Sequence, residues 1–222
     1  MPISSVQLDD LTAGDIQGSV DNAVREGRRI EYKEAVGQDD AAKREFLADV
    51  SSFASASGGD FLIGVEDRDG VASGVPGVEA ADVDTQILRL ENIIRDGIEP
   101  RIPGLQTQPV VLAGQRVVLV MRIPRSWAAP HMVTFRNAAR FYSRNSAGKY
   151  QLDVGEIRAA FVASDAAGDQ LRAFRLERLG RITANDAAAP MVDEPKLVLH
   201  LVPFSALDRS SGLMPRNSCT RT

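Results

Sequence analysis

Three carboxylates and a lysine in the first third of the chain have the residue types and spacing to do chemistry: Glu26, Glu31 and Asp67, with Lys33. Glu26 follows a helical pattern, Glu31 lies on a strand pattern just after it, and Asp67 sits past the end of an apolar run. If the two strands are neighbours, carboxylates from three separate elements converge at one edge of a sheet. Such a cluster is mutually repulsive unless a divalent cation or raised pKa values relieve it, and hard oxygen ligands suit Mg2+ or Mn2+. Phosphodiester chemistry assisted by a metal uses this arrangement, the cation polarising the phosphate and activating water or a sugar hydroxyl. Lys33, two residues along the strand from Glu31, would neutralise developing charge. The chain has 30 acidic residues, so spacing alone also leaves a plainer reading open: solvated acids and a Glu31/Lys33 surface pair.

The elements that must position these residues are legible in the periodicity. Residues 15–25 read as a helix with Ile16, Val20 and Val24 at fourfold spacing, and residues 28–34 as a strand with Ile30 and Tyr32 opposite Glu31 and Lys33. The clearest helix spans 40–56, with Phe46, Leu47, Val50, Phe53 and Ala54 on one stripe. Gly58-Gly59 lead into an apolar strand, Phe61 to Val65, and read as a tight helix-to-strand turn, because no Gly-Lys-Ser/Thr or GxGxxG pattern makes them a nucleotide cradle. Asp67 to Gly70 is a turn, 80–96 a second helix, and 110–112 with 117–123 a hairpin. A strand at 140–144 and helices at 154–162 and 170–182 follow, then a connection at 183–195, a strand at 196–202 and a tail without periodicity. The interleaving predicts an α+β fold, a mixed sheet flanked by helices.

Composition narrows the function classes. The 222 residues are 44% hydrophobic and 25% charged, an ordinary globular balance. One cysteine, Cys219, excludes an intramolecular disulfide, and with only His131 and His200 beside it no Cys/His zinc cluster is available. A net charge of -4 argues against coating nucleic acid through overall charge. That acidity conceals an asymmetry, because residues 101–152 hold eight basic residues, seven of them arginine, and no acid. Interleaved with Trp127, Phe135, Phe141 and Tyr142, they have the composition of a phosphate-binding surface with stacking groups. Arg122, Arg125, Arg136, Arg140, Arg144 and Lys149 are the candidate nucleic-acid contacts. The alternative is a set of arginines that satisfy acids elsewhere in the fold. His131 is read as structural or solvated, with phosphate contact as the alternative, and His200 as a sheet histidine. No basic n-region with an apolar h-region opens the chain, and no apolar run is long enough to span a bilayer, so the expectation is a cytoplasmic protein without a membrane partner.

The run Glu26-Gly-Arg-Arg-Ile-Glu31-Tyr-Lys33, followed by Phe53-Ala-Ser-Ala-Ser-Gly58-Gly59-Asp-Phe-Leu-Ile-Gly64-Val-Glu-Asp67, resembles the AlbA-like domain of the Schlafen family. Pro130-His131, Arg140-Phe-Tyr-Ser-Arg144-Asn-Ser and Glu156-Ile-Arg158 resemble its later strand and closing helix, so the likeness covers about residues 15–162. The resemblance implies a domain over 1–164 and an extension of one helix and one strand over 165–204, and the tail over 205–222, without periodicity, is expected to be mobile. It implies that Glu26, Glu31 and Asp67 form an endoribonuclease site dependent on Mg2+ or Mn2+, with Lys33 as the strand lysine, acting on structured RNA such as transfer or ribosomal RNA. A module that binds RNA or DNA, or regulates transcription, without catalysis is the competing expectation. A single lobe implies a homodimer around a duplex, and the C-terminal extension a docking surface in a larger, defence-type assembly. Ser55 stands where the family usually has Asn.

Overall fold

A parallel pair of strands joined by one long helix sets the frame. In chain order the elements are α1 (Ala13–Asp21), β1 (Ile30–Lys33), α2 (Asp40–Ser55), β2 (Gly59–Ile63), β3 (Glu66–Arg68), β4 (Val71–Gly74), β5 (Val78–Glu79) and α3 (Val83–Gly97). There follow β6 (Ile98–Glu99), β7 (Gln106–Val111), β8 (Arg116–Ile123), β9 (Met132–Val133), β10 (Arg140–Asn145), β11 (Gly148–Gln151) and α4 (Val154–Thr183). The structure is a computed structural model and describes residues 3–79, 81–137, 139–184, 186, 197–199 and 201–202.

β1 pairs parallel to β2, which pairs antiparallel to β8. β7 lies along the length of β8, and β5 pairs with the start of β8. A second antiparallel sheet runs β11-β10-β9-β6, and β3 with β4 forms a separate hairpin. The fold is α+β, as the sequence predicts. Both faces of the larger sheet are covered, which explains its unbroken apolar runs. Phe61, Ile63, Leu119, Met121 and Ile123 pack under Phe46, Leu47, Val50 and Phe53 of α2 and Leu90 and Ile94 of α3. The alternate residues Leu62, Val118 and Val120 join Tyr32, Ile16, Leu8 and Ile3 on the other side.

α2 begins at Asp39, whose carboxylate accepts from the amides of Ala41 and Ala42 at 2.8 and 2.9 Å, filling donors that a helix start leaves open. It ends through Gly58, held at φ 68°, and a Cβ there would meet the Arg125 amide at 2.7 Å. Gly59 admits none either, because its Cβ would lie 2.5 Å from the Arg29 carbonyl oxygen and from the Phe53 ring. The two glycines are therefore a turn that passes α2 tightly onto the sheet.

Several boundaries differ from the periodicity. α1 stops at Asp21 instead of Arg25, because Asn22 caps it by donating to the Gly18 carbonyl and Ala23 turns to φ 47°. Glu26 is thus freed from the helix and lies on the loop entering β1. β7 starts at Gln106 with Pro109 inside it, which an edge strand tolerates. The helices expected at 154–162 and 170–182 are one, α4, since nothing between them breaks the hydrogen-bond ladder.

The chain divides into two units, Met1–Ala160 and Phe161–Thr222, with the boundary inside α4. In the second unit Phe161, Leu171 and Leu176 are exposed. Of the strand expected at 196–202, residues 197–199 and 201–202 adopt no strand conformation, while Lys196 and His200 lie outside the described residues, as does the expected tail. No described helix is long and apolar enough to cross a membrane.

Candidate functional site

β1 carries Glu31 into the interior rather than to a surface. Alternation does separate it from Tyr32, but α2 and β10 cover the face it points to, and only 8% of the residue remains exposed. One carboxylate oxygen of Glu31 lies 3.1 Å from Lys33 Nζ, and the other is paired with Arg144. Arg144, whose side chain has 0% exposure, spreads its guanidinium over the Phe53 ring at 4.0 Å. Its Nε donates to the Gly27 carbonyl at 3.1 Å, and its Nη1 reaches Asp49 and Ser52 Oγ at 3.5 Å each. Asp49, on the buried side of α2, also receives Lys149 Nζ at 3.0 Å, and Lys149 in turn pairs with Glu45.

Around this network opens a cleft of about 290 Å³ whose walls include Glu26, Glu31, Glu45, Asp49, Asp69 and Lys149. Glu26 Oε1 accepts the Tyr32 amide at 2.8 Å. Burial pushes the Glu26 carboxyl above its ordinary range, opposed by that amide and reinforced by the charges of Glu31 and Asp67. Burial acts the same way on Glu31, but Arg144 and Lys33 outweigh it and hold the carboxyl below its ordinary range. Asp49 is pushed up to about 6 by burial, which Lys149 only partly offsets, and its Oδ2 has no hydrogen-bond partner. Lys33 is raised, because the pull of Glu31 and Asp49 exceeds the effect of its burial.

The structure brings Glu26, Glu31 and Lys33 together, with Asp67 near enough for its charge to act on Glu26 but outside the lining of the cleft. Asp67 is exposed on β3, its Oδ2 accepting the Gly70 amide at 3.1 Å, while Asp69 of the same turn faces the cleft. The basic segment also splits. Arg122 is turned inward, directly across from Asp60 in the sheet, with Nε 2.7 Å from that carboxylate and further bonds to the carbonyls of Val6 and Ile3. Arg144 and Lys149 belong to the buried network, whereas Arg125, Arg136 and Arg140 are exposed. His131 is fully buried, with Nδ1 2.7 Å from the Pro100 carbonyl, and burial lowers its pKa, so it is a neutral structural residue. Ser55 Oγ accepts the His131 amide at 3.3 Å, a turn-fixing contact that a hydroxyl can make as a side-chain amide oxygen would.

Residues 26–153, more than half of the chain, match the family described as Schlafen, AlbA_2. The chain belongs to this family. The match is narrower at both ends than the likeness read from the motifs. None of the curated proteins matches this Schlafen AlbA_2 chain. Among solved structures it is similar to the DIP2311 protein of Corynebacterium diphtheriae, with 17% identity and a TM-score of 0.41, covering 63% of this chain and 26% of that one. The chain therefore spans about a quarter of that protein's length. It is also similar to the N-terminal domain of a RecG-related protein from Nitrosomonas europaea, with 22% identity and a TM-score of 0.45, covering 61% of this chain and 88% of that domain.

The Schlafen resemblance implies a divalent cation at Glu26, Glu31 and Asp67, and the donor set does not fit one as arranged. Both oxygens of Glu31 are engaged by cations, Asp67 is turned to its own loop, and no three described His, Cys, Asp or Glu residues are grouped to hold a metal. A carboxylate already neutralised by a guanidinium and an ammonium has little charge left to offset a metal's dehydration. The residue the motif reading missed in this Schlafen AlbA_2 domain is Asp49. Its signal was present: it lies three residues after Phe46 and four before Phe53, on the stripe that faces the core, where a carboxylate needs a cation.

Proposed function

We propose that this chain is a nucleic-acid-binding domain that takes single-stranded segments of RNA. The observation that carries the reading is Trp127, 66% exposed on the loop between β8 and β9. That loop is anchored: Ser126 is buried, its amide donates to the Ala54 carbonyl at 2.9 Å, and its hydroxyl accepts the Ala128 amide at 3.1 Å. Ser126 is pinned inward, and its neighbours Arg125 and Trp127 are both exposed. An exposed indole beside an arginine is a base-stacking platform, and a stacked base is worth about 1–3 kcal/mol. Trp127 is the single tryptophan of the chain, so its fluorescence reports the event directly. Titration with single-stranded RNA is expected to quench it in a salt-sensitive way, and Trp127→Ala to weaken binding followed by anisotropy of labelled RNA. No quench and no anisotropy change at low salt would sink the reading.

Endoribonuclease action at the cleft is the second reading, and the Glu26 carboxyl favours it. Burial and its acidic neighbours make it hold a proton more tightly than an ordinary glutamate, the property of a general acid. Labelled transfer RNA, ribosomal RNA and DNA incubated in Mn2+ or EDTA with wild type and with Glu26→Gln, Glu31→Gln, Asp67→Asn combined decide between the two. Cutting that vanishes in the triple variant supports the enzyme. Equal inertness with retained binding supports the module alone.

A further inference from the structure

At the far end of β10 from Arg144, three arginines from three elements surround a second cavity. Arg44 comes from the second turn of α2, Arg136 from the turn before β10, and Arg140 from its first residue, with Val133, Asn137, Ala139 and Tyr142 also lining a space of about 470 Å³. Their charge is largely unspent. The Arg136 guanidinium pairs with Asp40 at 2.9 Å, but the bond from Arg44 goes to the Asp40 carbonyl and that from Arg140 to the Gln151 amide oxygen. Among the described residues, three guanidiniums thus have one carboxylate partner, and each has more N–H donors than the bonds it makes there.

The backbone here is held unusually. Arg136 and Asn137 both sit in the left-handed region, at φ 52° and 59°, which side-chain-bearing residues avoid and which recurs where a ligand is clamped. Planar donor forks on three residues around one cavity suit a tetrahedral oxyanion better than a single carboxylate. The cavity is several times larger than one phosphate and lies within the range of small-ligand sites.

We propose that the Arg44–Arg136–Arg140 cavity seats one nucleotide unit of a bound strand through its phosphate, a deepening that rests on the nucleic-acid reading above. Arg140 and Arg144 share a side of β10 by alternation, with their Cα atoms about 13 Å apart along the strand. The phosphate is either an internal phosphodiester or a terminal monoester, the same oxyanion in both cases.

The test uses the full chain with one single-stranded RNA oligonucleotide in two forms, 5′-phosphorylated and 5′-hydroxyl, and with inorganic phosphate alone. Arg44→Gln with Arg140→Gln is expected to weaken binding on the order of tenfold or more and to reduce the salt slope by about 1 per lost contact. Arg140→Lys, which keeps charge and loses the fork, is expected to fall between. A 5′-phosphate preference in wild type that the double variant abolishes identifies the terminal group, and equal loss for both forms identifies a backbone phosphate. Unchanged affinity and salt slope in the double variant, with weakening by Trp127→Ala, overturns the cavity and leaves the nucleic-acid reading intact. If no oligonucleotide binds, that reading falls, and arginine Nε–H resonances titrated with inorganic phosphate judge the cavity: perturbed signals in wild type that are absent from the double variant support it, and unmoved signals overturn it. Melting followed by circular dichroism verifies that each variant is folded.

Discussion

Arg140 and Arg144 are the same residue type on the same side of one strand, four positions apart, and the fold puts them to opposite uses. Arg144 is sealed beneath α2, its guanidinium divided among Glu31, Asp49, Ser52, the Gly27 carbonyl and the Phe53 ring. Arg140 lies at the exposed start of the strand, where its side chain bonds, among the described residues, to the neutral Gln151. The difference is one of burial: Arg144 packs beneath the later turns of α2, whereas Arg140 stands at the exposed rim of the cavity that α2 borders with Arg44. A buried cation is held by desolvated partners and fixes the structure, whereas an exposed one near a single carboxylate retains its charge for a ligand. Counting arginines in residues 101–152 therefore measures two things at once.

The comparison is broken most directly at Arg144. Arg144→Met is expected to destabilise the first unit by about 3–5 kcal/mol, because removing one member of a buried pair strands the charges it neutralised. Urea denaturation measures this, and a variant as stable as wild type would show that the network contributes nothing.

Protonation gives the next largest effect. Asp49 moves from 3.8 to about 6 on folding, so between those values the native state keeps a proton that the unfolded chain has lost. Stability should fall as pH rises through that window, by up to about 3 kcal/mol at ~1.4 kcal/mol per pH unit. Asp49→Asn, a mimic of the protonated acid, is expected to flatten this slope in denaturation curves taken from pH 4 to pH 7. Glu31, held below its ordinary range by Arg144 and Lys33, has the opposite sign. Its contribution is present at neutral pH and is lost on acidification, so Glu31→Gln costs most near pH 7 and least in acid.

Smaller still is Lys149, whose side chain is 18% exposed. Lys149→Met is expected to cost about 1–2 kcal/mol through the lost charged hydrogen bonds and to move the Asp49 transition to higher pH. Arg140→Gln completes the series with a stability change within about 0.5 kcal/mol, measured by the same urea titration. A larger loss would make Arg140 structural and erase the contrast with Arg144.

Much of the frame was legible in one dimension, for identifiable reasons. The α2 stripe, the Gly58-Gly59 turn and the apolar β2 and β8 are local patterns, set by side-chain period and by backbone freedom, so they read directly. β5, β6 and β9 are two residues each, and the β5–β8 and β6–β9 pairings join segments more than thirty residues apart, so no local pattern announces them. The site was half legible. Glu26, Glu31 and Lys33 are near one another because they are near in sequence, while which aspartate of the β3–β4 hairpin lines the cleft, Asp69 and not Asp67, is settled only by the fold. Asp49 was visible as a carboxylate on an apolar stripe, but its partners lie about a hundred residues away.

The sequence by itself determined which residues are apolar and at what period, where the chain must turn, the family to which it belongs, and that residues 101–152 carry eight basic residues and no acid. Only the tertiary structure decided which of those charges are neutralised. Pairing and desolvation depend on distances between groups brought together across the chain, and those distances fall to a few ångströms only when α2 closes over β10.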